Sequence, residues 1–374
     1  MSRTEPWTSL ISQLAEAGLS GERNRLELTI LKMIRSMKND CPEVSQQLGA
    51  LLSRHSVNPS GLRWKETGPP PTDQEEGFSL VKQESSDDAP EPIFPPALRT
   101  QTEQFLKERT KSAKLLQEGF TPPRSLLLTG APGTGKTMLA RWIAGQLNLP
   151  FISLDLATSI SSLLGKTGFN LRRVLDYARA TSSVLLLDEF DAIAKRRDDA
   201  TDLGELKRTV NVLLKELENW PFHSILIAAT NHPDLLDPAI RRRFDTVLNI
   251  PLPTEKERFD ILERSGGRFS KIVPQKLLRA FASGLEGISP SDAESLMHAA
   301  VRRHLTNDIP MIESLTLELQ DRFYGSLSGK RLGDVLRSIQ SSKSESFTVR
   351  QLAKLFGKSV STVQHHLGKE SQDA

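Results

Sequence analysis

Residues 130–137 read Gly-Ala-Pro-Gly-Thr-Gly-Lys-Thr, and this octet limits what the chain can fold into more than any other segment. It follows an apolar run, Ser125-Leu126-Leu127-Leu128, and leads into a helix-forming stretch, Met138-Leu139-Ala140-Arg141-Trp142-Ile143-Ala144. G-x-x-x-x-G-K-[ST] between a strand and a helix is a phosphate-binding loop. The glycines let the backbone wrap an anion without Cβ clashes. The freed amides lie at a helix N-terminus, whose partial positive charge favours phosphate. Gly130, Ala131, Pro132, Gly133, Thr134, Gly135, Lys136, Thr137 and Met138 are therefore candidate nucleotide-binding residues. Lys136 is expected to reach the β- and γ-phosphates and the Thr137 hydroxyl to bind Mg²⁺. The competing reading is a glycine-rich turn before an ordinary helix, which explains neither the Lys-Thr pair nor the preceding strand.

The stretch from 96 to 252 alternates short apolar runs with helical patterns. The runs at 125–128, 151–154, 184–187, 225–229 and 246–250 have the length and composition of buried parallel strands. The reading is an α/β fold with a doubly wound parallel sheet. Val184-Leu185-Leu186-Leu187 ends in Asp188-Glu189. At a strand tip beside a nucleotide, Asp188 suits the hydrated Mg²⁺ shell and Glu189 can polarise the attacking water. Taken alone, two acids ending a strand are more often just solvated. The next run, Ile225 to Ala229, ends in Thr230-Asn231, where an amide can bond both γ-phosphate and water, although such an Asn is commonly a turn residue. Then come Arg241-Arg242-Arg243-Phe244-Asp245. Three adjacent guanidiniums make sense if they face a neighbouring subunit's γ-phosphate. Contacts that supply residues in trans close into rings. The alternative is a solvated basic helix end, or salt bridges to Asp245 and Glu255.

These four motifs, in this order, resemble the AAA family of ATPases over about 96–305, in the clade of membrane-bound AAA proteases and microtubule-severing enzymes. The resemblance implies an ATP hydrolase using Mg²⁺, assembled as a hexameric ring with ATP between subunits. By it, Lys136 and Thr137 belong to Walker A, Asp188 and Glu189 to Walker B, and Asn231 to sensor 1. Arg242 and Arg243 are the fingers and Arg241 is structural, with the choice among the three left open by their adjacency. Gly287-Ile288-Ser289-Pro290-Ser291-Asp292 is similar to the small-domain Gly-Phe-Ser-Gly-Ala-Asp motif that contacts adenine and ribose, with Pro290 and Ser291 replacing two small residues. Members that thread polypeptides carry a pore aromatic where this chain has Leu163. Threading is weakened by leucine, and Leu163 and Leu164 would otherwise simply pack. Lys195-Arg196-Arg197-Asp198-Asp199 is either a second pore loop or a solvated one.

Around this module the expected organisation is a helical N-terminal domain (1–64), an acidic Pro-rich linker (65–95), the large ATPase domain (96–253), a helical lid (254–312) and a helical C-terminal region (313–374). In the first of these, breaks at 18–21 and 39–42 divide three helical patterns, which favours a small bundle. Within the last, residues 348–367 resemble a helix-turn-helix. Thr348 and Ser359 would cap its two helices, Gly357 would make the turn, and Val360, Val363 and Leu367 would form the inner side of the second. Ser361, Thr362, Gln364 and His365 would then face a major groove, with Lys354, Lys358 and Lys369 on phosphates. The same residues also fit a helical hairpin that packs on the ring. The single cysteine, Cys41, rules out an internal disulfide, and no apolar run reaches the roughly 18 residues of a membrane span. The net charge of only +3 predicts no polyanion partner from global charge. The expectation is a cytoplasmic, non-membrane ATPase whose ring remodels or unfolds a protein client. Because the sequence holds no H-E-x-x-H peptidase motif, any protease would be separate. The alternative target is DNA or a DNA-bound complex, reached through 348–367.

Overall fold

The apolar runs form the sheet. The computed structural model describes residues 7–20, 23–56, 71, 81–84, 89–161, 167–192, 220–323, 348–355 and 359–368. The chain opens with three helices, α1 (Thr8–Leu19), α2 (Arg23–Met37) and α3 (Pro42–Ser56). A short strand β1 (Lys82–Glu84) precedes α4 (Pro96–Thr110) and α5 (Ser112–Gln117). The alternating part follows as β2 (Ser125–Thr129), α6 (Lys136–Gln146), β3 (Phe151–Asp155), α7 (Leu156–Ser161), α8 (Thr167–Ala180), β4 (Val184–Asp188), β5 (Ile225–Thr230), α9 (Pro238–Arg241) and β6 (Thr246–Asn249). Among the described residues beyond β6 the helices are α10 (Glu255–Gly266), α11 (Gln275–Gly284), α12 (Pro290–Asn307), α13 (Met311–Phe323), α14 (Val349–Leu355) and α15 (Val360–Gly368).

The sheet order is β1-β3-β4-β5-β2-β6, with β3, β4, β5, β2 and β6 parallel. Strands β2 and β5 are buried along their whole length, which is why they read as continuous apolar runs rather than alternating ones. β1 pairs antiparallel with β3 at the edge. It comes from the stretch expected to be a linker. Its neighbour Val81 is only 4% exposed, so this piece of the acidic segment has an apolar anchor after all.

Contacts divide the chain into two units. The first comprises residues 1–92, 96–130 and 136–250. Its main core joins Leu127, Ile152, Leu185 and Leu226 of the sheet to Val174 and Leu175 of α8 and to Trp220, Phe190 and Phe244. A second cluster sets Leu31 and Ile34 of α2 and Leu52 of α3 against Leu116 of α5 and Phe222. The N-terminal bundle is therefore packed on this unit. A Cβ on Gly49 would lie 2.9 Å from the Gln117 Cα, so α3 meets α5 backbone to backbone. The Arg35 Nε donates to the Gly119 carbonyl, and Lys38 meets Glu118 at 2.7 Å. Each fully buried Leu or Ile contributes about 1.5–3 kcal/mol. Exposed ion pairs add little, so apolar packing holds the bundle.

The second unit comprises residues 93–95, 131–135 and 251–374. Leu262, Leu278, Phe281, Leu296, Met297 and Leu315 form its core. A capping box starts α10: the Thr254 amide donates to the Glu257 carboxylate at 2.8 Å. Leu352, Ala353 and Val363 of α14 and α15 enter the same core. The Ser359 hydroxyl accepts from the Thr362 amide at 3.1 Å, the cap expected of it. Val360 departs from expectation. It is 40% exposed, because it sits in the first turn of α15 while Val363 and Leu367 reach the core. No described helix is long and apolar enough to cross a membrane.

Candidate nucleotide site

In the first unit, β2 delivers the chain to Gly130 and α6 resumes it at Lys136. The Lys136 Nζ donates to the Gly130 carbonyl at 2.8 Å, folding the side chain back over the loop it closes. Burial pushes its ammonium below the ordinary lysine pKa, and Asp188 and then Asp191 pull it partly back up. The Thr137 hydroxyl donates to Asp188 Oδ2 at 2.8 Å. A hydroxyl and one carboxylate, one on the first turn of α6 and one at the tip of β4, are the donor types Mg²⁺ takes alongside nucleotide phosphates and water. The residues therefore fit that ion. Among the described residues no cluster of three or more His, Cys, Asp or Glu offers an all-protein metal cage.

Glu189 is exposed and carries φ +52°, a left-handed conformation uncommon outside glycine. Hydrogen bonds from two backbone amides hold it there. Its amide donates to Asp188 Oδ1 at 2.9 Å, and the Phe190 amide donates to the Ala229 carbonyl of β5 at 2.8 Å. Such strain persists where surrounding structure over-determines it. It lifts the carboxylate off the buried strand.

Asn231 follows β5 and is half-buried. Its amide donates to Asp191 Oδ1 at 3.3 Å, and the Thr230 hydroxyl donates to the same oxygen at 3.0 Å. Asp191 is 4% exposed. No role for it is assigned from the sequence. The available signal was a charged residue inside the apolar run Phe190-Asp191-Ala192. Further on, Asp237 caps α9 by accepting from the Ala239 amide at 2.8 Å. Arg241 and Arg242 are exposed and Arg243 is half-buried. Asp245 was a candidate partner for these arginines. Its Oδ2 instead accepts from the Arg124 amide at 2.7 Å and from the Ser125 amide and hydroxyl at 3.0 Å each.

In the second unit, the loop residues Gly133 and Gly135 have φ +73° and +95°, which only glycine adopts without strain. The Thr134 hydroxyl donates to the Ala131 carbonyl at 2.8 Å and braces the turn. Ser289 caps α12, accepting from the Asp292 amide at 3.1 Å and donating to its carboxylate at 2.7 Å. The Ser291 amide donates to the Gly133 carbonyl at 3.2 Å. Leu163 and the segment 195–199 lie outside the described residues, as do Gly357, Lys358 and Lys369.

Residues 126–252 match the family model "ATPase family associated with various cellular activities (AAA)". The chain carries an AAA ATPase domain. An uncharacterized AAA family ATPase of Sinorhizobium fredii is 38% identical over 203 residues, covering 53% of this chain and 59% of that protein. A proteasome-activating nucleotidase of Aeropyrum pernix is 38% identical over 205 residues, 52% of this chain and 50% of that one. An ATP-dependent zinc metalloprotease FtsH of Acidimicrobium ferrooxidans is 36% identical over 222 residues, 56% of this chain and 33% of that one. The chain thus spans between a third and three fifths of the length of these relatives. The sequence expectation of an AAA ATPase on a mixed, mostly parallel sheet is met. The matched span includes the candidates from Gly130 to Arg243, while the 287–292 motif and the 348–367 tail lie beyond it.

Proposed function

We propose that the chain binds and hydrolyses ATP with Mg²⁺ in a ring, and uses the cycle to remodel or unfold a protein client. The observation that carries the ATPase chemistry is the 2.8 Å bond from Thr137 to Asp188, which aligns the head of α6 with the tip of β4. Lys136 and the loop amides of 130–138 hold the phosphates, and Thr137 and Asp188 hold the ion. When bound, that ion neutralises charge building on the β- and γ-oxygens. The water oxygen attacks the γ-phosphorus as the bond to the β–γ bridging oxygen breaks. ADP leaves with that electron pair, and the water's proton passes to Glu189. Asn231 orients the water. Arg242 or Arg243 of an adjacent copy stabilises the spreading negative charge. The assembly that the family resemblance implies is a hexamer, in which each copy's arginines serve the next copy's site. The relatives whose names couple ATP to a protease or to the proteasome support a protein client.

The test is ATPase rate against protein concentration, alone and with an unfolded protein. The expected result is a rate per subunit that rises with assembly and again with the polypeptide. Full-rate turnover by strictly monomeric protein would overturn the trans-acting arginine. No response to any unfolded chain would overturn the client.

A second reading, action on duplex DNA, is favoured only by the tail. Leu352, Ala353 and Val363 are buried there while Ser361, Gln364 and His365 stay exposed, the pattern expected of a groove-facing helix. It predicts salt-sensitive duplex binding that disappears with residues 348–374.

A further inference from the structure

Phe244 and Asp245, the two residues after the arginines, are each pinned to the sheet side of the site. Phe244 is 6% exposed. Its ring stands edge-on to that of Phe190, with centroids 5.8 Å apart and planes at 80°. Phe190 directly follows Glu189 and is itself tied to β5 through the Ala229 carbonyl. Asp245 is clamped to the start of β2. Its carboxylate accepts three hydrogen bonds from Arg124 and Ser125, and its own amide donates to the Ser125 hydroxyl at 2.9 Å. Upstream, the turn is closed by backbone bonds from Arg242 to Pro238, Arg243 to Ile240 and Phe244 to Arg241. The arginine segment is thus held at one side by an aromatic contact with the Glu189-bearing strand end, and at the other by the strand that feeds the phosphate loop.

We infer that Phe244 and Asp245 are positioning residues for the arginines: they join the guanidiniums offered to the next subunit and the carboxylates of the subunit's own site into one rigid piece. This rests on the trans-acting arginine proposed above. A rearrangement at Glu189 when the γ-phosphate departs would then reach the next site through Phe190 and Phe244 rather than through solvent. A subunit with a loosened Phe244 keeps its own nucleotide site and spoils only its neighbour's.

Subunit mixing reads this out. Phe244→Leu keeps an apolar side chain in the core and removes the ring contact. A catalytic group displaced by ~1 Å costs about a hundredfold in rate, so Phe244→Leu is expected to lower kcat by about that factor while its affinity for ATP stays at the parental value. Mixed in equal amounts with Lys136→Ala, which lacks a working site but has an intact arginine segment, it is expected to recover turnover. The reference is Arg242→Ala/Arg243→Ala mixed with the same Lys136→Ala protein. Parental turnover by Phe244→Leu overturns the inference. So does a loss that Lys136→Ala fails to restore while it restores the arginine variant. If the arginine variant itself turns over normally, or is not restored, the trans-acting arginine is wrong and the inference falls with it. Should Phe244→Leu not fold, Asp245→Asn carries the same comparison through the other anchor.

Discussion

Replacing Asp191 by alanine strands two donors at the junction of β4 and β5. The Thr230 hydroxyl and the Asn231 amide both end on its Oδ1, at 3.0 and 3.3 Å, and Thr230 is 0% exposed, so water cannot take over. A hydrogen bond to a charged group contributes about 1.5–3 kcal/mol, and a buried donor left unmet costs about 1–3 kcal/mol. The shorter, interior bond belongs in the middle of that range and the longer one at its foot. Asp191→Ala should therefore destabilise the first unit by about 3–4 kcal/mol. Asp191→Asn keeps an acceptor in place and forfeits only the charge assistance, about 1–2 kcal/mol. Urea unfolding followed by tryptophan fluorescence measures the order parent, Asn, Ala. Trp220 sits in the main core cluster of the same unit, with Phe190 and Ala228. A double-mutant cycle with Thr230→Val isolates the pair, with an expected coupling of about 1–2 kcal/mol. Because the same carboxylate holds the Asn231 backbone, kcat should fall in the same order with KM moving less. Equal damage from Asn and Ala, or a coupling near zero, would refute the assignment of Oδ1 as the shared acceptor.

Lys136→Met should abolish ATP-induced stabilisation yet leave the nucleotide-free melting temperature at or above the parent's. Burial lowers the folded-state pKa of Lys136, so the folded protein binds that proton less tightly than the unfolded chain does. The charged form then costs stability at every pH below the folded pKa, and stability rises with pH between the folded and unfolded values. A clear fall in melting temperature at pH 7, or an unchanged rise in stability at alkaline pH, would contradict this. Glu189→Gln should cut kcat by about 10²–10⁴ with ATP binding retained. Glu189→Gly, at φ +52°, should also be inactive but more stable by about 1 kcal/mol, since it relieves a left-handed backbone; calorimetry with a nucleotide-binding assay separates the two. Gly133→Ala places a methyl 2.6 Å from the Ser289 hydroxyl at φ +73°. About 1–2 kcal/mol of backbone strain and about 1 kcal/mol from a displaced helix cap should appear as lost stability. Ser289→Gly in the same chain should return part of it, and no return would show that the contact is not the cause.

Much of this protein is legible without coordinates because its defining segments are short in sequence and chemically unambiguous. The octet 130–137 specifies its own backbone: glycines where left-handed φ is needed, and a helix immediately after. The five parallel strands announce themselves because a sheet covered on both faces must be apolar on both, so alternation disappears. Asp188, Glu189 and Asn231 follow from standing at the ends of such strands. The three N-terminal helices and their breaks are read equally well from periodicity and punctuation.

What could not be read are the relations between residues far apart in the chain. That Asp191 serves Thr230, that Asp245 answers to Ser125 rather than to the arginines beside it, and that Phe190 meets Phe244 all depend on which strands become neighbours. Edge strand β1 was equally hidden, since three residues of an acidic stretch become a strand only when β3 presents a free edge. The packing of the N-terminal bundle on α5 is of the same kind: Gly49 carries no local signal that it must admit the backbone at Gln117. Local chemistry and periodicity therefore determine the backbone of the 130–137 loop and where the strands lie. The order in which those strands pair decides which side chains brace the residues at the strand tips, because a brace is a contact across the sheet and is not encoded by spacing along the chain.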